Sequence, residues 1–166
     1  KVGQNRDNQG LSEYGIAANS SAIYQNDPIM MAATGKIIVG TAAAVLLGSL
    51  NGVFYTDATT GKPTYANHLN ASNTATDIVG FVSDDPYERF EIQSDAALTA
   101  AEVGLNADIV YAAGSTPNYV SKVELDHSDL KTAIAQLRVI GISKDPSNNE
   151  AGAVDVNAVV IINEHF

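Results

Sequence analysis

The stretch IVGFVSDDPYERFEIQ, residues 78–93, decides the fold class. Residues 78–82 form a short apolar run, too brief for a helix and rich in β-branched and aromatic side chains, so they read as a buried strand. Asp84-Asp85-Pro86 then stops it, because proline has no N–H for a ladder and restrains the residue before it. From Glu88 to Gln93 charged and apolar residues alternate with period two, which predicts a half-buried strand with Phe90 and Ile92 pointing inward. Two strands in sixteen residues, separated by a proline stop, are the grammar of a β-protein.

The same grammar recurs along the chain. Short strands are predicted at residues 28–31, 36–39, 45–47, 52–55, around Tyr65, at 109–111, 119–125, 137–142 and 154–162. Between them lie turn clusters such as Asn26-Asp27-Pro28, Thr34-Gly35, residues 57–63 and residues 114–118. Residues 49–52 read as a turn separating two strands, and residues 67–77 as a polar loop. Thr99 and Glu102 have capping-box spacing and Gly104 follows, so one short helix is expected at 99–103. A second helical turn is expected over 131–135, after Ser128 and Asp129. The prediction is a mainly β protein, a single-domain small β-barrel or β-sandwich with one or two short helices. Residues 1–21, polar and glycine-bearing, are expected to form an extended N-terminal arm, and residues 22–166 the β-rich globular domain. One internal echo is visible: residues 79–86 and 140–146 each run from a buried strand into Asp-Pro, a likeness that convergent turn chemistry explains.

Composition narrows the function. At 166 residues the chain is long enough to bury roughly 70% of its unfolded surface. Charged residues are only 17% of the chain and the net charge is −10. Phosphate backbones and anionic lipid surfaces repel such a chain, so neither nucleic acid nor membrane is an expected partner. The apolar stretch at residues 37–50 has fourteen residues, against the roughly 20 that a spanning helix needs. A surface polar mainly through Asn, Ser and Thr suits packing against other subunits, since burying a neutral group costs less than burying a charge.

Chemistry is hard to find. With no cysteine there are no disulfides, thiolate nucleophiles or thiolate metal sites. His68, His127 and His165 form no zinc spacing, and Asp84, Asp85, Glu88 and Glu91 lack the glycine-bearing loop that calcium sites use. Gly-x-Ser-x-Gly, a P-loop and Gly-x-Gly-x-x-Gly are all absent. The expectation is no catalytic residue, no metal and no cofactor. What remains is surface: seven tyrosines against four phenylalanines, each tyrosine joining an apolar ring to a polar tip. Within the arm, Leu11, Tyr14 and Ile16 are the sparse anchors that could add a strand to a neighbour's sheet edge.

A resemblance adds to this. The run from Asn26-Asp27-Pro28 through residues 47–55, then Asp84-Asp85-Pro86, residues 90–93, 103–108, Leu125-Asp126, residues 137–142 and 149–165 resembles the capsid decoration, or cement, proteins of tailed bacteriophages. It covers roughly residues 24–165. The resemblance implies a β-rich structural protein on the outer surface of the virion's icosahedral head, bridging subunits of the major capsid protein, commonly as a homotrimer, with no catalytic residues to carry over. The alternative is a virion-displayed β-sandwich binding a host-surface glycan or receptor, for which Tyr55, Tyr65 and Tyr87 could serve. A calcium-assisted hydrolase is a third reading.

Overall fold

The computed structural model describes residues 10–166. The chain is mainly β, with antiparallel sheets and, among the described residues, two single-turn 3-10 helices, and it divides into two compact units. The first comprises the described residues up to Gly40, Leu47–Asp85 and Gly114–Ser121; the second comprises Thr41–Leu46, Pro86–Ala113 and Lys122–Phe166. Each unit has its own buried apolar cluster. Among the described residues no helix is long and apolar enough to cross a membrane.

In the first unit β1 (Ser12–Gly15), β2 (Pro28–Met31), β3 (Ile37–Val39), β4 (Gly48–Thr56) and β6 (Val79–Ser83) form one sheet in the order β1-β6-β4-β2-β3. The strand β5 (Pro63–Ala66) pairs with the far half of β4, Val53 to Thr56. A single parallel bridge, Ile16 to Ile37, links the two ends of the sheet, which therefore curls without closing into a barrel. Ile16, Ile29, Ile37, Leu50, Val53, Leu69 and Val82 fill the interior at 1% exposure or less. Gly80 is the floor of that interior: a Cβ there would stand 2.8 Å from Ile37 Cδ1 and 3.1 Å from Ile16 Cδ1.

Part of the stretch expected as an arm belongs to this sheet. Ser12–Gly15 pairs with β6, and Ile16 is core, so the folded chain begins ahead of residue 22. Residues 1–9 lie outside the described residues. The turn expected at residues 49–52 is instead the middle of the long strand β4, where the ladder shifts between Leu50 and Gly52. Asn51 is the extra residue of a β-bulge, and the Asn-Gly pair that signals a hairpin turn is used here to bend a strand.

In the second unit β7 (Phe90–Gln93), β8 (Asn106–Ala107), β11 (Leu137–Ile142) and β12 (Asn157–Ile162) form a sheet in the order β7-β12-β11-β8, and β9 (Ile109–Val110) pairs with β10 (Glu124–Leu125). As the alternation at residues 88–93 predicts, Phe90 and Ile92 pack against the core while Glu91 and Gln93 are exposed. The capping box forms: Thr99 N–H donates to Glu102 Oε2 at 2.6 Å, ahead of the helical turn Ala100–Glu102. The second helical turn is at His127–Asp129, earlier than expected: Ser128 O–H donates to Asp126 Oδ1 there, and Asp129 Oδ2 is held by the N–H of Asp108 from a distant part of the chain. Residues 119–123 are not a strand: Val120 makes isolated bridges to Gln25 and Ser115, and only Glu124–Leu125 joins a ladder. The last strand begins at Asn157 rather than 154, since Asp155 adopts positive φ and breaks extension.

One residue from each half of the chain holds the short segment that crosses into its unit. In the second unit the fully buried Gln136 donates from Nε2 to the carbonyls of Thr41 (2.8 Å) and Ala44 (2.6 Å), while its Oε1 accepts from Ile109 N–H. In the first, Gln25 N–H donates to Tyr119 O, and Ser121 N–H donates back to Gln25 O.

Two glycines separate close packing from mere turn chemistry. A Cβ on Gly48 would overlap the Ser83 carbonyl, which the sheet cannot move, whereas Gly141 has open space around the same position. Gly48→Ala should therefore cost about 3 kcal/mol or prevent folding, and Gly141→Ala should stay within about 1 kcal/mol of wild type. Urea denaturation of both variants checks this.

Candidate functional site

The outer face of the first sheet carries an aromatic cluster that the register dictates. Phe54 on β4 stands opposite Tyr65 on β5 and Val79 on β6, and Phe81 lies two residues along β6 from Val79. All four side chains therefore share one face. The Phe54 and Tyr65 rings have centroids 4.7 Å apart, and Tyr65 and Phe81 are 6.4 Å apart and nearly parallel at 14°. Tyr65 is 75% exposed. Glu13 on β1 is paired with Phe81, so an exposed carboxylate borders the rings. Aromatic rings on a sheet face beside a carboxylate can dock apolar side chains and the cationic heads of Lys or Arg.

A second aromatic group in the same unit is structural. His68 stacks on Tyr119 at 3.8 Å and 7°, and Tyr24 lies 6.4 Å from His68 and 6.2 Å from Tyr119. Gly114 lies close to the Tyr24 ring, and a Cβ there would stand 2.6 Å from it. Burial holds the His68 imidazole below its ordinary value, so it is neutral at pH 7 and stacks as an uncharged ring. Below this group Asp27 is fully buried; its Oδ2 accepts the Tyr24 N–H at 2.8 Å, while Oδ1 has no partner.

The second unit offers a shallow depression of about 580 Å³ on its sheet face, lined by Arg89, Glu91, Ile140, Gly141, Lys144 and Val159 among others. It mixes both signs of charge over a small apolar floor. His127 Nε2 lies 3.0 Å from Glu102 Oε1, and the Thr99 backbone N–H, followed by the Thr99 hydroxyl and His127, holds the Glu102 carboxyl below its usual range. Among the described residues no group of three or more His, Asp or Glu side chains is placed to hold a metal ion.

The residues singled out from the sequence are distributed differently. Tyr14 and Ile16, expected as arm anchors, are committed to the first unit: Ile16 is buried, and Tyr14 O–H donates to Asp84 Oδ2 at 2.6 Å. Burial first, then the Asp84 carboxylate, pushes the Tyr14 phenol up to about 12. Leu11 is half-buried just before β1. Of the three tyrosines expected to share a binding groove, Tyr65 alone lies on the aromatic face. Tyr55 packs against the core from the other side of β4, and Tyr87 belongs to the second unit. Phe54 and Phe81 take their places, and only the cross-strand register, invisible in sequence, brings them to Tyr65. Comparison with family models, curated proteins and solved structures finds no match for this chain.

Asp27 gives a signed pH prediction. Burial, opposed by hydrogen bonds from Tyr24 N–H and the Ser121 side chain, raises its carboxyl above the ordinary value near 4. In that window the unfolded chain gives up the proton before the folded one, so folding stability from this group falls as pH rises and carries no cost below pH 4. Asp27→Asn should therefore gain stability relative to wild type as pH rises above about 4, while Asp27→Ala, which strands the Tyr24 N–H, should lose it at every pH. Denaturant titrations across that range check both.

Proposed function

We propose that this protein is a structural component of a tailed-phage virion, decorating and stabilising the outside of the icosahedral head by bridging major capsid protein subunits. The observation that carries the reading is the aromatic face of Phe54, Tyr65 and Phe81, with Tyr65 held 75% exposed on the outside of the sheet. Protein–protein interfaces concentrate such rings at their centres, where flat, rigid contact area comes at low entropic cost. The resemblance across residues 24–165 supports the same reading, as does a surface polar chiefly through neutral groups. With a net charge of −10 and Glu13 beside the rings, the complementary capsid surface should present apolar side chains and Lys or Arg. Assembly as a homotrimer is part of the proposal.

Binding to a host glycan or receptor is the second reading, and the same rings favour it, because Tyr65 and Phe81 are nearly parallel. It is separated by what the rings bind.

Purified protein should co-sediment saturably with undecorated heads and raise the temperature at which they rupture. Tyr65→Ser should weaken that binding by about tenfold or more, whereas Tyr87→Ser, at a still more exposed ring in the other unit, should leave it unchanged. Absence of binding at high protein excess, together with a positive glycan array abolished by the same Tyr65 variant, would establish the second reading instead.

A further inference from the structure

The two units have the same architecture. In the first, the strands β1, β2, β4 and β6 lie in the order first-last-third-second; in the second, β7, β8, β11 and β12 lie in that order too. The registers coincide. Ser12, Val82 and Leu50 stand in one row of the first sheet, and Phe90, Val160 and Val139 in one row of the second. One step along, the rows are Glu13, Phe81, Gly52 and Glu91, Val159, Gly141, so both ladders slip by one residue at the same place, at Asn51 and at Ile140.

Irregular features coincide as well, and these carry the comparison further than strand order. The residue after β1, Ile16, donates its N–H to Ile78 O and forms a parallel bridge with Ile37; the residue after β7, Ser94, donates to Val156 O and forms a parallel bridge with Leu125. Asn26 has φ +66° and donates to Leu50 O at 2.8 Å; Gly104 has φ +99° and donates to Val139 O at 2.8 Å. The return bonds, Leu50 N–H to Asp27 O and Val139 N–H to Leu105 O, are 3.0 and 2.9 Å. Ser72, also at positive φ, donates to Ser20 O, and Gly152 at positive φ donates to Leu98 O. Ser12 and Phe90, Pro28 and Asn106, and Val82 and Val160 are each 78 residues apart. Packing of short strands can repeat a topology by chance. A shared offset in three separate strands, with matching bulges, bridges and left-handed turns, requires a common motif.

We infer that the chain is built from two copies of one β-motif, and that the β4–β5 hairpin is an addition to the first copy that the fold does not need. Resting on the capsid-docking reading above, the hairpin is then the element that gives the first copy its docking face. Between Val53 and Gly80 lie 26 residues, while 15 lie between their counterparts Ile142 and Ala158. The eleven extra residues correspond to the outer half of β4, its turn and β5, which carry Phe54 and Tyr65. The second copy closes the same sheet without them, and its corresponding face holds Val159 where the first has Phe81. Only Glu13/Glu91, Gly52/Gly141 and Val82/Val160 are identical among the paired positions named here, so the duplication is nearly silent in the sequence. The visible echo between residues 79–86 and 140–146 compares β6 with β11, which are not counterparts, and is convergent turn chemistry.

The test replaces residues 54–66 of the full chain with Asn-Gly, a net removal of eleven residues. The variant should keep a single cooperative melt within several degrees of wild type, with an unchanged β circular-dichroism spectrum, and should lose saturable binding to undecorated heads. In parallel, the matched turn residues should exchange: Asn26→Gly and Gly104→Asn should each melt within a few degrees of wild type, and Asn26→Val and Gly104→Val should melt well below it. Loss of the fold on excising the hairpin, or intolerance of either exchange, would overturn the two-copy inference. A folded variant that binds heads as wild type does would overturn the role of the hairpin. Failure of wild type to bind heads would remove the docking reading alone, with the two-copy inference still decided by the melts.

Discussion

Everything in the first unit depends on how β4 pairs with β6 around Asn51. Leu50 faces Val82 and the core, and regular alternation would then send Gly52 inward and Val53 out. The extra residue reverses that: Gly52 pairs with Phe81 on the outer face, and Val53 turns into the core at 1% exposure. The same slip sends Phe54 outward to meet Tyr65. Without it, the interior would lose Val53 and the exposed aromatic face would not assemble. Core and surface are thus fixed by one inserted residue, and the slip at Ile140 does the equivalent in the second unit by setting Val139 inside and Gly141 outside.

A chain with no cysteine and few charges has to secure its segments by other means. Ladders and apolar packing hold the sheets, and hydrogen bonds of buried polar groups hold the connections. Gln136 is the clearest case, since each of its side-chain hydrogen bonds reaches backbone that no strand satisfies. Removing such a group leaves buried carbonyls and an N–H unpaired, which costs more than the bond contributes. Asp27 is the opposite case, a buried carboxyl with one oxygen unpartnered, and the fold tolerates it by favouring the neutral form.

The strand content was legible because period-two alternation and proline stops act locally. Residues 28–31, 37–39, 79–83, 90–93 and 137–142 are strands where the pattern puts them. The capping box at Thr99 is equally local. What escaped was non-local. Ser12–Gly15 carries too few apolar side chains to signal a strand, and becomes one only because β6 offers an edge. Asn51-Gly52 has the composition of a hairpin turn and is a bulge because β6 pairs straight past it. The aromatic face draws on three strands, so no window of sequence contains it; the sequence marks Tyr65 as a candidate surface ring, but not its partners Phe54 and Phe81. The two-fold repetition lies in backbone geometry, with almost no side-chain identity to reveal it.

Hydroxyl-radical footprinting of the protein on undecorated heads tests the central claim most directly, because Tyr65 and Tyr87 are exposed to 75% and 88% in the free protein and serve as mutual controls. Protection of Tyr65 together with Phe54 and Phe81, while Tyr87 stays as reactive as in solution, is the predicted result. Bound protein whose Tyr65 reacts at its free rate would contradict the account, since the aromatic face would then lie away from the contact.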